Sequence, residues 1–217
     1  MDHIFSLTIK PIHSDLEQPY EDATKQLNDF FKIGWVRNLP SVFVVEDRAT
    51  IDRLRNEKSE SWVVGWSERN KVFLLSREKM GTESDRKHTV DEYNALLAHE
   101  LCHLFFGVST GGRHIPIWLN EGLCGYVSGQ IRFKKKPEAF SGFLEFFDVG
   151  GSEVYKESGF AVEALIGAFG KEKVLELLRN IKESVGNITV DKFNVLFKVV
   201  YGFEPTYELF NNLANPK

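Results

Sequence analysis

Phe5, Leu7 and Ile9 alternate with Ser6 and Thr8, a period of two that predicts a half-buried strand. The apolar run that starts at Ser41, with Val42, Phe43, Val44 and Val45, predicts a second, buried strand. Between them Ala23, Leu27, Phe30 and Phe31 recur at helical spacing after Pro19, so an amphipathic helix can cover one face of a sheet. Another helix is expected after Asp47, around Ile51 and Leu54. Trp62 to Trp66 and Val72 to Leu75 are β-rich runs on either side of the polar turn Ser67, Glu68, Arg69 and Asn70, which predicts a hairpin. The polar stretch from Arg77 to His88 reads as a loop.

At Thr89 the period becomes helical and stays so. Thr89 with Glu92 has the form of a capping box, and Tyr93, Leu96, Leu97, Leu101 and Leu104 make an apolar stripe that stops at Gly107. Beyond Gly111 and Gly112, Pro116 can open a helix through Trp118, Leu119 and Tyr126. Phe160, Ala161, Ala164, Leu165 and Ala168 form the next helical face before Gly170, and Val174, Leu175, Leu178 and Ile181 the one after. No repeat, low-complexity tract or linker divides the chain. The expected fold class is therefore α+β in one unit, with a mixed α/β part over residues 1–88 and an all-helical part over 89–217.

Composition alters this picture little. An apolar share of 42% with 18 Phe supports a sizeable core. The net charge is −4, and the only basic cluster, Arg132 with Lys134, Lys135 and Lys136, is too short for nucleic acid and reads as a solvated flank. The N-terminus lacks a basic segment followed by an apolar stretch, and no run of about 18 apolar residues occurs, so no membrane partner and a cytoplasmic protein are expected. Cys102 and Cys124 are too few for a disulfide framework and read as reduced, packed thiols.

The chemistry is concentrated on the helix that follows Thr89. His99 and His103 lie four apart, so both imidazoles project from one face and can chelate one ion. Glu100 follows the first of them and can take a proton from water, which completes the H-E-x-x-H pattern of zinc hydrolases. At background frequencies of ~2% His and ~6% Glu, chance would produce it in roughly one chain of this length in two hundred. A catalytic zinc wants three protein ligands and an open position. Glu121 is the only carboxylate in the stretch that follows His103, at a distance that lets the chain turn through Gly111 and Gly112 and return as a helix. His114 is the one rival ligand there, and its place before Pro116 suits a surface or cleft residue better.

Taken together, AHELCHLFFG and WLNEGLCGY resemble the gluzincin branch of zinc peptidases, the group of thermolysin and the M1 aminopeptidases. The resemblance covers roughly residues 60 to 185 and implies a zincin-like fold, one zinc ion and a peptide or protein substrate. Val154 to Phe160 is similar to the segment in which that group carries a transition-state tyrosine, so Tyr155 is implied as an oxyanion donor. The hairpin falls where the group has a sheet edge along which substrates add a strand. Gly125 and Ser128 stand where the group places a carboxylate behind the histidines, so the rings must be oriented from elsewhere.

The expected activity is a metallopeptidase with ligands His99, His103 and Glu121, general base Glu100 and oxyanion donor Tyr155. Two other readings stay open: a catalytically silent zinc-stabilised module that binds a partner, and a zinc hydrolase of an ester or another amide.

Overall fold

The computed structural model describes residues 15–85 and 89–215. The strand expected at Phe5 to Ile9 lies outside the described residues, as does the end of the loop expected up to His88.

The described chain is α+β and mostly helical, with all of its strands in the first part. Helix α1 (Glu17–Phe31) buries Ala23, Leu27 and Phe31, three of the four positions that the pattern marked. It is followed by β1 (Ser41–Val45), α2 (Arg48–Arg55), β2 (Gly65–Glu68) and β3 (Lys71–Leu75). The sheet order is β1-β3-β2, with β1 parallel and β2 antiparallel to β3.

Three sequence readings change here. The hairpin turn is only Arg69-Asn70, both at positive φ (47° and 65°), which is the geometry that fits the twist of a two-residue loop. Ser67 and Glu68 belong to β2 and pair with Val72 and Lys71, because backbone pairing does not require an apolar side chain on an edge strand. β1 is not buried: only Val45 is, while Phe43 stacks on Phe73, which stacks on Trp66, across the half-exposed face of the sheet. The polar stretch read as a loop contains helix α3 (Arg77–Glu83), held by Met80, which is fully enclosed. A single buried anchor outweighed a polar composition.

Helix α4 (Val90–Thr110) starts at the expected capping box, with Thr89 and Glu92 bonded to each other's backbone amides. It runs through Gly107, where the stripe seemed to stop, and ends at Gly111 in the left-handed conformation. The helix tolerates Gly107 because the His114 imidazole packs against it, with Cε1 3.2 Å from where a Cβ would stand. Nearly every side of α4 is covered, by α1 and β2 on one flank and by α5 (Ile117–Val127) and α7 (Lys171–Glu183) on the other. A helix apolar all round belongs in an interior.

Helix α5 is fixed at its start by Trp118, whose ring meets Phe143, Phe193 and Phe210 edge-on at 5.3–5.8 Å. Its Gly122 lets α6 (Ser152–Phe169) approach so closely that a Cβ would sit 2.6 Å from the Ser158 carbonyl. α8 (Val190–Tyr201) and α9 (Tyr207–Ala214) complete the helical part. One contiguous cluster of buried apolar residues extends from Ala23 to Phe210. Among the described residues no helix is long and apolar enough to cross a membrane.

The chain between α5 and α6 is tied down by one buried carboxylate. Glu157 accepts hydrogen bonds from the amides of Ser141, Gly142 and Phe143 at 3.0–3.2 Å. Glu157→Gln turns one acceptor oxygen into a donor facing these amides and should lower stability by about 1–3 kcal/mol in urea unfolding. Glu153→Gln, on the exposed side of the same helix, should leave the midpoint in place; equal losses for both variants would refute the role of the tie.

Candidate metal centre

Because α4 places residues four apart on one face, His99 and His103 stand side by side, their ring centroids 4.7 Å apart and their Nε2 atoms at 3.1 Å. α5 packs across them and brings Glu121, with Oε2 3.3 Å from His99 Nε2 and Oε1 3.7 Å from His103 Nε2. The three ligands expected from the sequence therefore meet, and the group could hold a metal ion. Bonds of 2.0–2.1 Å at tetrahedral angles separate donor atoms by about 3.3–3.4 Å, close to these spacings.

The donor set supports the same conclusion. His103 Nδ1 lies 2.9 Å from Asn120 Oδ1, and Asn120 directs its amide nitrogen to the His114 carbonyl at 3.4 Å. That orientation makes the Asn oxygen the acceptor, so Nδ1 carries the proton and Nε2 offers its lone pair toward Glu121. Glu121 Oε2 is enclosed and accepts no hydrogen bond. Lone pairs facing one another at this range repel unless positive charge lies between them.

Asn120 thus supplies the orientation that a carboxylate at Gly125 or Ser128 would have given. Ser128 instead bonds the Gly125 carbonyl. Cys124 adds a second contact, with Sγ 3.4 Å from His103 Nδ1 and 3.6 Å from Asn120 Oδ1. Burial, with Cys102 beside it, pushes the Cys124 thiol well up, so it stays protonated. His99 has no such support: its Nδ1 is buried without a partner. Asn120 was visible in the sequence only as the neighbour of a ligand, and Cys124 only as an apolar position one turn beyond it.

Burial governs the charges. It lowers His99 to about 4, so this imidazole is neutral at pH 7. His103 is also disfavoured as a cation by burial, but the Glu121 and Glu100 carboxylates and the Asn120 contact outweigh that and raise it. Burial raises Glu121, but positive charge on His103 and Lys134 outweighs it and lowers this carboxyl to about 2. Glu100, 7% exposed, rises to about 7 through desolvation, with Glu121 adding to the rise and His103 opposing it. A carboxyl in this range can both take and return a proton near neutral pH.

Glu100 lies beneath the edge strand. A Cβ on Gly65 would stand 3.1 Å from Glu100 Cγ and 3.2 Å from its Oε1, so a larger residue there would push on the Glu100 side chain. Tyr155, in the first turn of α6, faces the same group: burial raises its pKa, and the Glu121 and Glu100 charges raise it further. Its phenol therefore remains a donor at neutral pH. The Trp62 ring, half exposed, packs on Tyr155 at 5.8 Å.

Lys134 departs from its reading as part of a solvated flank. Its Nζ donates to the Tyr155 carbonyl at 3.0 Å, and its charge acts on both His99 and Glu121. Arg132 lies over the Phe133 ring, and Lys135 and Lys136 are exposed, as expected of a flank. His114 is not part of the ligand group but lines a cleft with Leu104 and Gly107.

Comparison with protein-family models, with curated proteins and with solved structures found no match.

If Asn120 sets the His103 ring, Asn120→Ala should weaken the binding of a divalent metal ion about 10–100-fold in chelator competition while the thermal unfolding of the metal-free protein changes little. Unchanged affinity would mean that the ring is held by packing alone.

Proposed function

We propose that this protein is a zinc-dependent hydrolase of the gluzincin type, with a zincin-like core, that cleaves peptide bonds. The observation that carries the reading is the cluster of His99 and His103, with Nε2 atoms 3.1 Å apart, and the Glu121 carboxylate, whose two oxygens lie 3.3 and 3.7 Å from them, with the Glu100 carboxyl next to His99 on the same helix. A helix carrying two ligands beneath an edge strand, with the third ligand on the following helix, further supports it.

When bound at these ligands, zinc supplies Lewis acidity, which acidifies a water molecule and polarises a carbonyl. The residues of the chain do the rest. Glu100 takes the proton of the attacking water at a carboxylate oxygen and returns it to the leaving amine. Tyr155 donates its hydroxyl to the carbonyl oxygen as that oxygen gains negative charge. His99 and His103 must stay neutral to act as ligands, so acid should abolish metal binding and activity together.

β2 supplies the means of holding an extended chain. Val64 O accepts from Leu75 N, and Trp66 and Glu68 face β3 in the same phase, so the backbone groups of Gly65 and Ser67 point to the edge of β2 that no strand among the described residues pairs with. A peptide added there would be bonded through its main chain beside Glu100, with tolerance of sequence. Its side chains would meet the exposed face of Trp62. Two buried, free thiols fit a reducing compartment such as the cytoplasm.

The unsupported His99 Nδ1 favours one other reading, a zinc-stabilised binding module without turnover. Zinc stoichiometry and cleavage of an unbiased peptide library separate the two. Glu100→Gln should retain one zinc and lose about a thousandfold in kcat, Glu121→Ala should lose the metal, and Tyr155→Phe should lower kcat about a hundredfold with KM little changed. Wild type that holds zinc and never exceeds the Glu100→Gln control would leave the module; full zinc occupancy in Glu121→Ala would overturn the ligand set.

A further inference from the structure

A cleft of about 670 Å³ opens along α4, bounded on the helix by Leu104, Gly107 and Val108 and on the other side by Arg37, Arg69 and His114. Steps of three or four residues return to the same side of a helix, so Glu100, Leu104, Gly107 and Gly111 form one stripe. β2 follows this stripe: Gly65 touches Glu100, and the strand runs from there to the Arg69-Asn70 turn at the cleft. The cleft therefore lies farther along the same side of α4 as Glu100, at the far end of β2. From Glu100 to Gly107 the helix rises about 10 Å, a distance that an extended chain covers in about three residues.

The charge of the cleft is one-sided. Arg37 and Arg69 bring fixed positive charge, and among the described residues no Asp or Glu lines it, in a chain whose net charge is −4. Glu68, the acid next to Arg69, reaches it through a single 3.5 Å contact with both side chains well exposed (61% and 89%). Such a contact is weak in water, and a carboxylate that engaged the guanidinium with both oxygens would replace it. Trp35, Leu104 and Val108 give this shallow cleft an apolar lining against which the methylenes of an acidic side chain can pack.

We propose that this cleft is a specificity subsite for an acidic side chain, Asp or Glu, of an extended polypeptide, about three residues from the bond that Glu100 serves. The proposal rests on the peptidase reading of the metal centre for the place of the bond, but not for the recognition of the acid. Arg37 and Arg69 would hold the carboxylate while the backbone on either side pairs with β2.

Two measurements test it. In the first, fluorescence anisotropy of the zinc-loaded protein compares labelled peptides carrying Glu with twins in which each Glu is Gln. The Glu peptides should bind at least ~10-fold tighter, and Arg37→Glu and Arg69→Glu should each erase the preference with zinc content unchanged. Lys192→Glu on α8, outside the cleft, should keep it. In the second, mass spectrometry of a cleaved peptide library should show Asp and Glu enriched two to four residues from the cut. Equal affinity for Glu and Gln peptides overturns the subsite, as does a preference that survives in both arginine variants. Cleavage without acidic preference also overturns it and leaves the peptidase standing, whereas tight, arginine-dependent binding with no cleavage keeps the subsite and overturns the peptidase.

Discussion

Two imidazole nitrogens 3.1 Å apart, each 3.3–3.7 Å from an oxygen of one buried carboxylate, are the constraint around which the rest is arranged. Two imidazoles and a carboxylate would each be better hydrated apart, and burying them together costs free energy that the surrounding packing must offset. The offset is visible in α4 and α5. α4 is covered on both flanks, and α5 is pinned by the aromatic cluster around Trp118 and by backbone contact with α6 at Gly122. Neither helix can shift to relieve the donors without opening that core.

Around the donors the polar contacts are unequal. His103 is held by Asn120 and Cys124, both neutral, while the second nitrogen of His99 has no partner. A neutral acceptor raises ligand basicity less than a carboxylate would, so the ion would be held more by the shape of the site than by charge behind the ligands. On the other side, the close pass of β2 over Glu100 helps to enclose that carboxyl and sets the His99, His103 and Glu121 group beside a strand edge that is unpaired among the described residues. The same strand leads to the turn at Arg69 beside the positive cleft, so the proposed proton transfer, strand pairing and charge selection would follow one side of α4.

Much of the local structure was legible from period and punctuation. The capping box at Thr89 and Glu92, the helix that follows Pro116 and the strand at Val72 to Leu75 formed where the pattern pointed, since each depends on contacts within a few residues. The misreadings share a cause. α3 forms in a polar stretch because Met80 finds a core, α4 passes Gly107 because His114 packs there, and β1 is half exposed although its residues are as apolar as those of an interior strand. In each case the deciding contact lies outside the element itself, so the element's own pattern carries no trace of it.

By itself the sequence determined that His99, Glu100 and His103 share one turn of helix, because the spacing of residues on a helix is fixed by backbone geometry. It also made Glu121 the carboxylate available to them. Only the tertiary structure decided that α5 brings that carboxylate within reach, that Asn120 and Cys124 steady His103 and that Lys134 turns toward Tyr155. It alone placed Gly65 on Glu100 and set Arg37 across a cleft from Gly107. These are contacts between elements, whose positions follow from how the whole core packs and from no short stretch of chain.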